Sequence, residues 1–284
     1  MMSHRTPVSS RTEHTVDLRT GVRLAYVDQG DSRGLPVVFL HGTSDSWHSF
    51  KPVLPHLPST IRALVPSQRG HGNSGRPEWG YGPGGFAEDV AAFLDALGID
   101  AAVIVGHSMG STIALRFALD HPERVIGLLL LGAFHRWGDL PDIVELGEVI
   151  STLTDPIDPA FVREFQAGTT AQPVPPAFFE TAVQESLKVP ARVWKAMARD
   201  FIDDDHAHRL AEVLVPTRLI WGDQDALIPR EQQDALLEAI PNAQLVVYAG
   251  TGHAVQWEQP ARTAASVVAF VDNLVSSLLG RAAA

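Results

Sequence analysis

Cysteine is absent from this 284-residue chain, which excludes disulfide bonds, thiolate catalysis and cysteine metal sites. Positive charge is also scarce, since 22 Lys and Arg residues stand against 33 Asp and Glu residues and no segment concentrates basic side chains. We therefore expect no nucleic-acid partner. Long apolar runs are missing too: the strongest, residues 125–134, is too short to cross a bilayer, and residues 1–10 are polar. We expect neither a membrane segment nor secretion, and we take the cytoplasm as the default location.

Short apolar runs alternate with helical segments from residue 36 onward, a pattern typical of buried parallel strands covered by helices. Before this region, residues 15–18 and 22–27 are predicted to form two strands joined by a turn at Gly21, which indicates a hairpin at the sheet edge. Amphipathic helices are predicted between Phe86 and Leu97 and along the C-terminal segment that carries Val267, Val271, Leu274 and Leu278. The remaining predicted strands are residues 37–40, 61–65, 102–105, 125–131, 217–221 and 244–248.

The alternation is interrupted between Phe134 and about Leu210, where amphipathic helical pieces are separated by prolines and no strand pattern occurs. We interpret this stretch as a helical cap inserted after the sixth strand, which ends near Leu131. The predicted fold class is α/β, a mostly parallel twisted sheet with helices on both faces. The predicted domains are an α/β core, residues 1–134 and 211–284, and a helical cap subdomain, residues 135–210.

The most informative motif is G-H-S-M-G at residues 106–110, between an apolar run at 101–105 and a helical run at 111–119. A strand, G-x-S-x-G and a helix in this order are typical of a nucleophile elbow. The sharp turn forces the serine into a strained backbone conformation, and the flanking glycines let strand and helix approach. Ser108 would then stand at the N-terminus of a helix, where the helix dipole favours developing negative charge.

A serine hydroxyl needs a neighbouring base to act as a nucleophile, usually a histidine oriented by a carboxylate. Of the 12 histidines, His253 is the best candidate because it follows a predicted strand in a glycine-rich loop. The acid should also follow a strand, and the segment after residue 221 offers Asp223 and Asp225, which strand alternation does not separate. With either acid the order along the chain is serine, aspartate, histidine, as usually accompanies this elbow.

Five short segments follow predicted strands in a characteristic order: H-G-T at residues 41–43, Q-R-G-H-G-N-S at 68–74, G-H-S-M-G at 106–110, G-D-Q-D at 222–225, and G-H at 252–253 with Glu258 and Pro260 beyond. Together they resemble the α/β-hydrolase family, and the resemblance extends from residue 22 to the C-terminal helix. In the family pattern G-x-x-D the last position carries the triad acid. The resemblance therefore implies Asp225 for this role and a bond to loop backbone for Asp223.

The same resemblance implies further roles around Ser108. The backbone N–H groups of Thr43 and Met109 would form an oxyanion hole, in which donors are fixed before negative charge develops. His41, Arg69 and His71 are expected to brace the surrounding loops instead of reacting, and the last two flank Gly70 in the second segment.

The reaction implied by this resemblance is hydrolysis of a small-molecule carboxylic ester through an acyl-enzyme, without metal or organic cofactor. A lactonase, for example for an N-acyl lactone, is the main alternative, and C–C bond hydrolases and perhydrolases share the scaffold. Members that act on ring-cleavage products tend to carry H-G-x-G-P-G, whereas this chain has H-G-T-S-D-S-W at residues 41–47. A non-catalytic ligand-binding protein is the alternative from a different class, and a homodimer is left open.

Substrate choice is expected to depend on the cap and the loop rims, with an apolar acyl group or a compact aromatic ester as the substrate. Aromatic side chains in these segments are candidates for the pocket wall, and we expect two or three of them to face the substrate. The candidates are Trp47, Phe134, Trp137, Phe161, Phe165, Phe178, Phe179 and Trp194.

Overall fold

A central eight-stranded sheet organises the molecule, which is described by a computed structural model over residues 12–282. The predicted polar segment at residues 1–10 lies outside the described residues. All eight predicted strands are confirmed, with bounds that differ from the prediction by no more than two residues at either end. They are β1 (Glu13–Asp17), β2 (Arg23–Gln29), β3 (Leu35–Leu40), β4 (Ile61–Pro66), β5 (Ala102–His107), β6 (Val125–Leu131), β7 (Thr217–Gly222) and β8 (Ala243–Tyr248).

The strand order is β1-β2-β4-β3-β5-β6-β7-β8. β1 pairs with β2 and β2 with β4 in antiparallel fashion, and the pairs from β4 to β8 are parallel. The hairpin of β1 and β2 therefore lies at the sheet edge, as the sequence predicts. Because β3, β5, β7 and β8 run parallel, the loops that follow them meet at one edge of the sheet.

Helices cover the sheet, and within the described residues none of them is both long and apolar enough to cross a bilayer. Four of them lie between residues 141 and 202, after β6 and before β7, and we call them the helical insertion. The sequence predicts a cap in this stretch, and the limits of a separate subdomain remain a prediction. The helices are α1 (Pro83–Ala96), α2 (Met109–Asp120), α3 (Pro141–Ser151), α4 (Pro159–Ala167), α5 (Pro176–Ser186), α6 (Ala191–Ile202), α7 (Arg230–Ala239), α8 (Val255–Glu258) and α9 (Pro260–Ala282).

Prolines explain where the helices of the insertion begin. Pro141, Pro159 and Pro176 each occupy the first position of a helix, and Pro190 precedes α6. Proline is well tolerated there because its fixed φ suits the helix and its missing N–H would have no intrahelical partner. Several of the prolines in this stretch thus mark the starts of the helices of the insertion.

The core has two layers because successive strand residues point to opposite faces of the sheet. In β5, Ile104 packs with the cluster that includes α1 and α2, whereas Val105 packs with the cluster that includes α9. The predicted apolar faces are confirmed: Phe86, Val90, Phe93 and Leu94 of α1 are buried, and so are Val267, Val271 and Leu274 of α9. Leu97 is half-buried, and the side chain of Leu278 lies outside the described part of the chain.

Candidate active site

Ser108 occupies the sharp turn between β5 and α2. Its φ of 53° and ψ of −118° lie in a region that non-glycine residues rarely adopt. A Cβ atom at Gly106 would overlap the carbonyl of Gly110, and one at Gly110 would overlap the carbonyl of Leu40. The Oγ of Ser111 donates a hydrogen bond to the Ser108 carbonyl at 2.6 Å and holds the turn from within. The strained elbow predicted from G-x-S-x-G is therefore present, and both glycines are needed for its close approach.

His253 and Asp225 form a buried hydrogen-bonded pair. The distance from His253 Nδ1 to Asp225 Oδ2 is 2.8 Å, and the two side chains are 2% and 0% exposed. Asp225 Oδ1 accepts the backbone N–H groups of Leu227 and Ile228, both at 2.9 Å, which fixes the carboxylate. His253 Nε2 is buried and has no hydrogen-bond partner in the described part of the chain. With Nδ1–H donated to Asp225, Nε2 carries the lone pair that a general base requires.

Asp223, the other acid of this segment, bonds to the backbone of the histidine loop. Its Oδ1 accepts the backbone N–H of Gly250 at 2.6 Å, within the loop that leads to His253. Gln224 Nε2 lies 3.4 Å from the same oxygen. Asp223 therefore shapes the histidine loop, and Asp225 is the carboxylate that contacts the imidazole.

Thr43, Ser108 and Met109 line a common cavity. Met109 is the first residue of α2, so its backbone N–H has no intrahelical acceptor. Thr43 follows β3, and among the described residues its N–H has no acceptor either. A Cβ atom on Gly42 would stand only 3.3 Å from Ser108 Cβ, so the loop backbone lies against the serine. Two free N–H groups thus border the serine at the positions expected for an oxyanion hole.

The other polar residues of the first two sequence segments brace these loops. His41 Nε2 accepts the backbone N–H of Gln68 at 2.9 Å, and His71 Nδ1 donates to the carbonyl of Arg69 at 2.8 Å. Arg69 forms two hydrogen bonds of 2.7 and 2.6 Å to the buried carboxylate of Asp89. Burial lowers the pKa of His71 to about 4 and holds the pKa of His41 well below its usual range. Both histidines are therefore neutral structural links near pH 7.

The helical insertion holds the loop that carries His253 from both sides. After the histidine, the N–H of Ala254 donates to the carbonyl of Thr169, in the loop between α4 and α5, at 2.8 Å. Before it, the N–H of the preceding glycine donates to Glu258 Oε1 at 3.0 Å, and the N–H of Ala171 donates to the same oxygen at 3.0 Å. Burial raises the pKa of Glu258. The position of the imidazole therefore depends on the insertion as well as on the sheet.

Two cavities meet at Ser108 and Thr43. The larger, about 40 Å³, has walls formed mostly by apolar side chains, and we call it the apolar cavity. The smaller, about 20 Å³, is the polar cavity, and it contains His253. Four of the eight candidate aromatic residues line the apolar cavity, and Phe201, which was not among the candidates, lines it too. The apolar cavity is lined by Phe134, Trp137, Ile143, Leu146, Gly147, Ile150, Phe165, Trp194, Met197, Ala198, Phe201, Ile202 and Leu227 beside Thr43, Ser108 and Met109.

Neither cavity has a Lys or Arg side chain in its wall. Across residues 12–282, no three His, Asp or Glu side chains come together in a way that could hold a metal ion.

Two residues of the polar cavity, Asp45 and Gln166, have no role in the sequence-based prediction. Asp45 is 4% exposed, and its carboxylate accepts Gln166 Nε2 at 3.1 Å and Ser49 Oγ at 3.0 Å. Burial raises the pKa of Asp45 to about 6. The sequence could have indicated Asp45 as a site residue because it lies two residues after Thr43 in H-G-T-S-D. Gln166 belongs to α4, and no local pattern indicates that this polar residue turns inward.

Known proteins resemble this chain over most of its length. The profile of the Alpha/beta hydrolase family matches residues 37–266. A 2-hydroxymuconate semialdehyde hydrolase from Pseudomonas putida is 30% identical over 277 residues, covering 89% of this chain and 92% of that protein. The esterase RhEst1 from Rhodococcus sp. ECU1013 is 25% identical, with a TM-score of 0.82 over 92% of this chain and 99% of that one. A thermophilic esterase from Thermogutta terrifontis is 26% identical, with a TM-score of 0.80 over 93% and 99%. This protein belongs to the alpha/beta hydrolase family.

Proposed function

We propose that this protein is a serine hydrolase that cleaves small carboxylic esters through an acyl-enzyme on Ser108. The observation that carries the proposal is the state of His253, whose Nδ1 is bonded to a buried carboxylate while its buried Nε2 borders the same cavity as the serine. A histidine held in this tautomer is suited to accept the serine proton. The similarity to two esterases at 25% and 26% identity supports the same reaction class.

The cycle has two halves, each with a proton transfer through His253. In the first, Ser108 Oγ attacks the ester carbonyl, Nε2 takes its proton, and the proton then passes to the departing alcohol. The backbone N–H groups of Thr43 and Met109 stabilise the oxyanion, and each donor can be worth about 3 kcal/mol. In the second half, water attacks the acyl carbon, gives its proton to Nε2, and Ser108 leaves with that proton.

The apolar cavity is the proposed binding site of the acyl group. Its wall is aromatic and aliphatic, so it favours an uncharged chain or ring over a polar one. Its volume of about 40 Å³ favours short acyl groups. We therefore expect acetate and butyrate esters to be hydrolysed with higher kcat/KM than octanoate esters.

The test is release of p-nitrophenol from acetate, butyrate and octanoate esters by the wild type and by Ser108→Ala. Hydrolysis that disappears in the variant, together with an acyl mass increment on the wild-type protein alone, supports the proposal. An N-acyl lactone belongs in the same panel because it would use the same machinery. A folded wild type that turns over none of these esters or lactones, yet binds one tightly, would be a ligand-binding protein instead.

C–C bond hydrolysis is the second candidate, because a 2-hydroxymuconate semialdehyde hydrolase is 30% identical over 89% of this chain. Two observations weigh against it. The loop after β3 reads H-G-T-S-D-S-W instead of the glycine-rich form, and neither cavity has a Lys or Arg to pair with a muconate carboxylate. Incubation with 2-hydroxymuconate semialdehyde separates the candidates, since cleavage at a higher kcat/KM than that of butyrate esters would favour C–C hydrolysis.

A further inference from the structure

The polar cavity has the size of a single small molecule and lies beside the serine. A water molecule needs about 10–15 Å³ of cavity, and this cavity measures about 20 Å³. The side chains that matter in its wall are Ser108, His253, Asp45 and Gln166. It contrasts with the apolar cavity, which extends from the same serine and lacks any carboxylate.

Two buried polar groups in this wall retain hydrogen-bonding capacity. His253 Nε2 has no partner in the described part of the chain. Asp45 accepts hydrogen bonds from Gln166 Nε2 at 3.1 Å on one carboxylate oxygen and from Ser49 Oγ at 3.0 Å on the other, and the backbone of Gly42 also stabilises its charged form. A carboxylate can accept about four hydrogen bonds, so at least one acceptor position of Asp45 stays open.

The carboxylate is held in place from several elements. Gln166 Nε2 also contacts Ser186 Oγ of α5 at 2.6 Å, which ties Asp45 to the insertion. Ser49 Oγ in turn accepts hydrogen bonds from Gln256 Nε2 at 3.2 Å and Trp257 Nε1 at 3.0 Å. Burying an acidic group in this way lowers the stability of the folded protein, and such a loss of stability is typical of functional sites.

We propose that the polar cavity binds the water molecule that hydrolyses the acyl-enzyme, and that Asp45 orients this water against His253. The proposal rests on the proposed function, because it concerns the second half of the same cycle. One hydrogen of the water faces His253 Nε2, and the other is accepted by the Asp45 carboxylate. The acyl chain occupies the apolar cavity during this step, so water approaches the carbonyl carbon from the opposite side.

The step is balanced without any further reactant. The water oxygen forms a bond to the acyl carbon while its proton passes to His253 Nε2. The tetrahedral intermediate then collapses, the bond between that carbon and Ser108 Oγ breaks, and the proton on Nε2 returns to Oγ. Asp45 gains and loses no proton. It acts as a positioning residue whose main effect is on deacylation, because His253 exchanges its proton with Ser108 and the alcohol in acylation and with water only in deacylation.

The experiment separates the two half-reactions in Asp45→Asn with p-nitrophenyl butyrate. Stopped-flow release of p-nitrophenol gives the acylation rate, and intact-protein mass spectrometry follows decay of the butyryl-enzyme after substrate removal. We expect acylation within about threefold of the wild type and deacylation slower by about thirtyfold or more, because a misplaced reactant loses much of its advantage in orientation. Hydroxylamine, a stronger nucleophile, should restore most of the lost turnover.

Ser49→Ala is the matched control. It removes the same hydrogen bond to Asp45 that the Asn variant disturbs but leaves the carboxylate in the cavity. We expect its deacylation to slow by less than in Asp45→Asn, because Gln166 Nε2 still holds the carboxylate, and its acylation to stay near the wild-type rate. If Asp45→Asn does not fold, Gln166→Met keeps the volume, releases the carboxylate on its other side, and should slow deacylation more than acylation.

Equal loss of both rates in Asp45→Asn or in Gln166→Met would overturn the proposal. Deacylation of Asp45→Asn at the rate of the wild type would overturn it as well. Failure of the proposed function has a different signature. In that case the wild type forms no butyryl-enzyme, or Ser108→Ala carries the same mass increment, whatever residue 45 is.

Discussion

Asp225 Oδ2 lies 2.8 Å from His253 Nδ1 in a fully buried pair, whereas the neighbouring acid, Asp223, bonds to the backbone N–H of Gly250. Replacing the first carboxylate by an amide leaves the shape intact but presents an N–H or a weaker acceptor to the imidazole. The tautomer with a free Nε2 lone pair is then disfavoured. Asp225 therefore fixes the position of the proton on the imidazole, whereas Asp223 fixes the conformation of the loop.

Asp225→Asn is expected to lower kcat for p-nitrophenyl butyrate by a factor of about 10³ to 10⁴. Asp223→Asn keeps an oxygen that can accept a hydrogen bond from the N–H of Gly250, so its kcat should fall by less than about fivefold. Steady-state kinetics of both variants, with circular dichroism to verify folding, make the comparison. A larger loss in Asp223→Asn would mean that the acid assignment is wrong.

Burial of His71 is expected to make the protein less stable in acid. Its pKa in the folded state is lowered to about 4 from an ordinary 6.5, so between these values the unfolded chain binds the proton first. Stability therefore rises with pH across this window, by up to about 3 kcal/mol from this side chain. His71→Asn can keep a donor to the Arg69 carbonyl and does not titrate. Urea unfolding between about pH 4 and pH 7 should show a flatter dependence in the variant.

Comparing the pH dependence of stability in the wild type and in His71→Asn separates the contribution of His71 from that of Asp45. The pKa of Asp45 is raised to about 6 from 3.8, so its contribution has the opposite sign and is lost as pH rises through about 6. That contribution is present in both proteins and cancels in the difference. Parallel curves for wild type and His71→Asn would contradict the prediction.

Gly110→Ala is expected to destabilise the protein by at least about 2–3 kcal/mol, because the added methyl overlaps the backbone carbonyl of Leu40, which has no room to move in a central strand. Gly168→Ala is the control. Its Cβ would stand 3.5 Å from the nearest carbonyl oxygens, and its φ of −65° suits alanine. The control should change stability by less than about 0.5 kcal/mol in thermal or urea unfolding. Equal effects at the two positions would show that the elbow tolerates a side chain.

Gly147 is expected to set the acyl-chain length that the apolar cavity accepts. It lies within α3, and a Cβ atom there would stand 2.5 Å from Ile202 Cδ1, which also lines this cavity. Gly147→Ala should lower kcat/KM for octanoate relative to acetate by about tenfold, as one misplaced methyl commonly does. Alanine favours a helix more than glycine, so the loss should not come from unfolding. The double variant Gly147→Ala, Ile202→Val should restore the wild-type ratio of kcat/KM for octanoate and acetate esters. If the ratio is not restored, acyl-chain length is selected by other residues.

The strands and the nucleophile elbow could be predicted from the sequence because their signals are local. A buried parallel strand appears as a continuous apolar run, and the elbow needs its two glycines within five residues. His253 was recognisable for a similar reason, since it follows the last strand in a glycine-rich loop. These features depend on backbone geometry that a few neighbouring residues fix.

The choice between the two acids and the inner face of the insertion are not local. Asp223 and Asp225 stand on the same side of the strand extension, and only loop hydrogen bonds direct one to Gly250 and the other to the imidazole. Gln166 is a polar residue of an amphipathic helix, yet it is 1% exposed because its partners come from the loop after β3 and from α5. Such partners become known only when helices are placed over the sheet.

The bonds between Ala171 and Glu258 and between Thr169 and Ala254 make the helical insertion a poor unit for exchange between relatives. A graft that brings new helices for a new substrate would also replace the groups that support the histidine loop. A designed chimera should therefore retain the segment around residues 166–172 and vary α3 and α6 instead. Selectivity would then be changed at the far wall of the apolar cavity while the reacting groups keep their support.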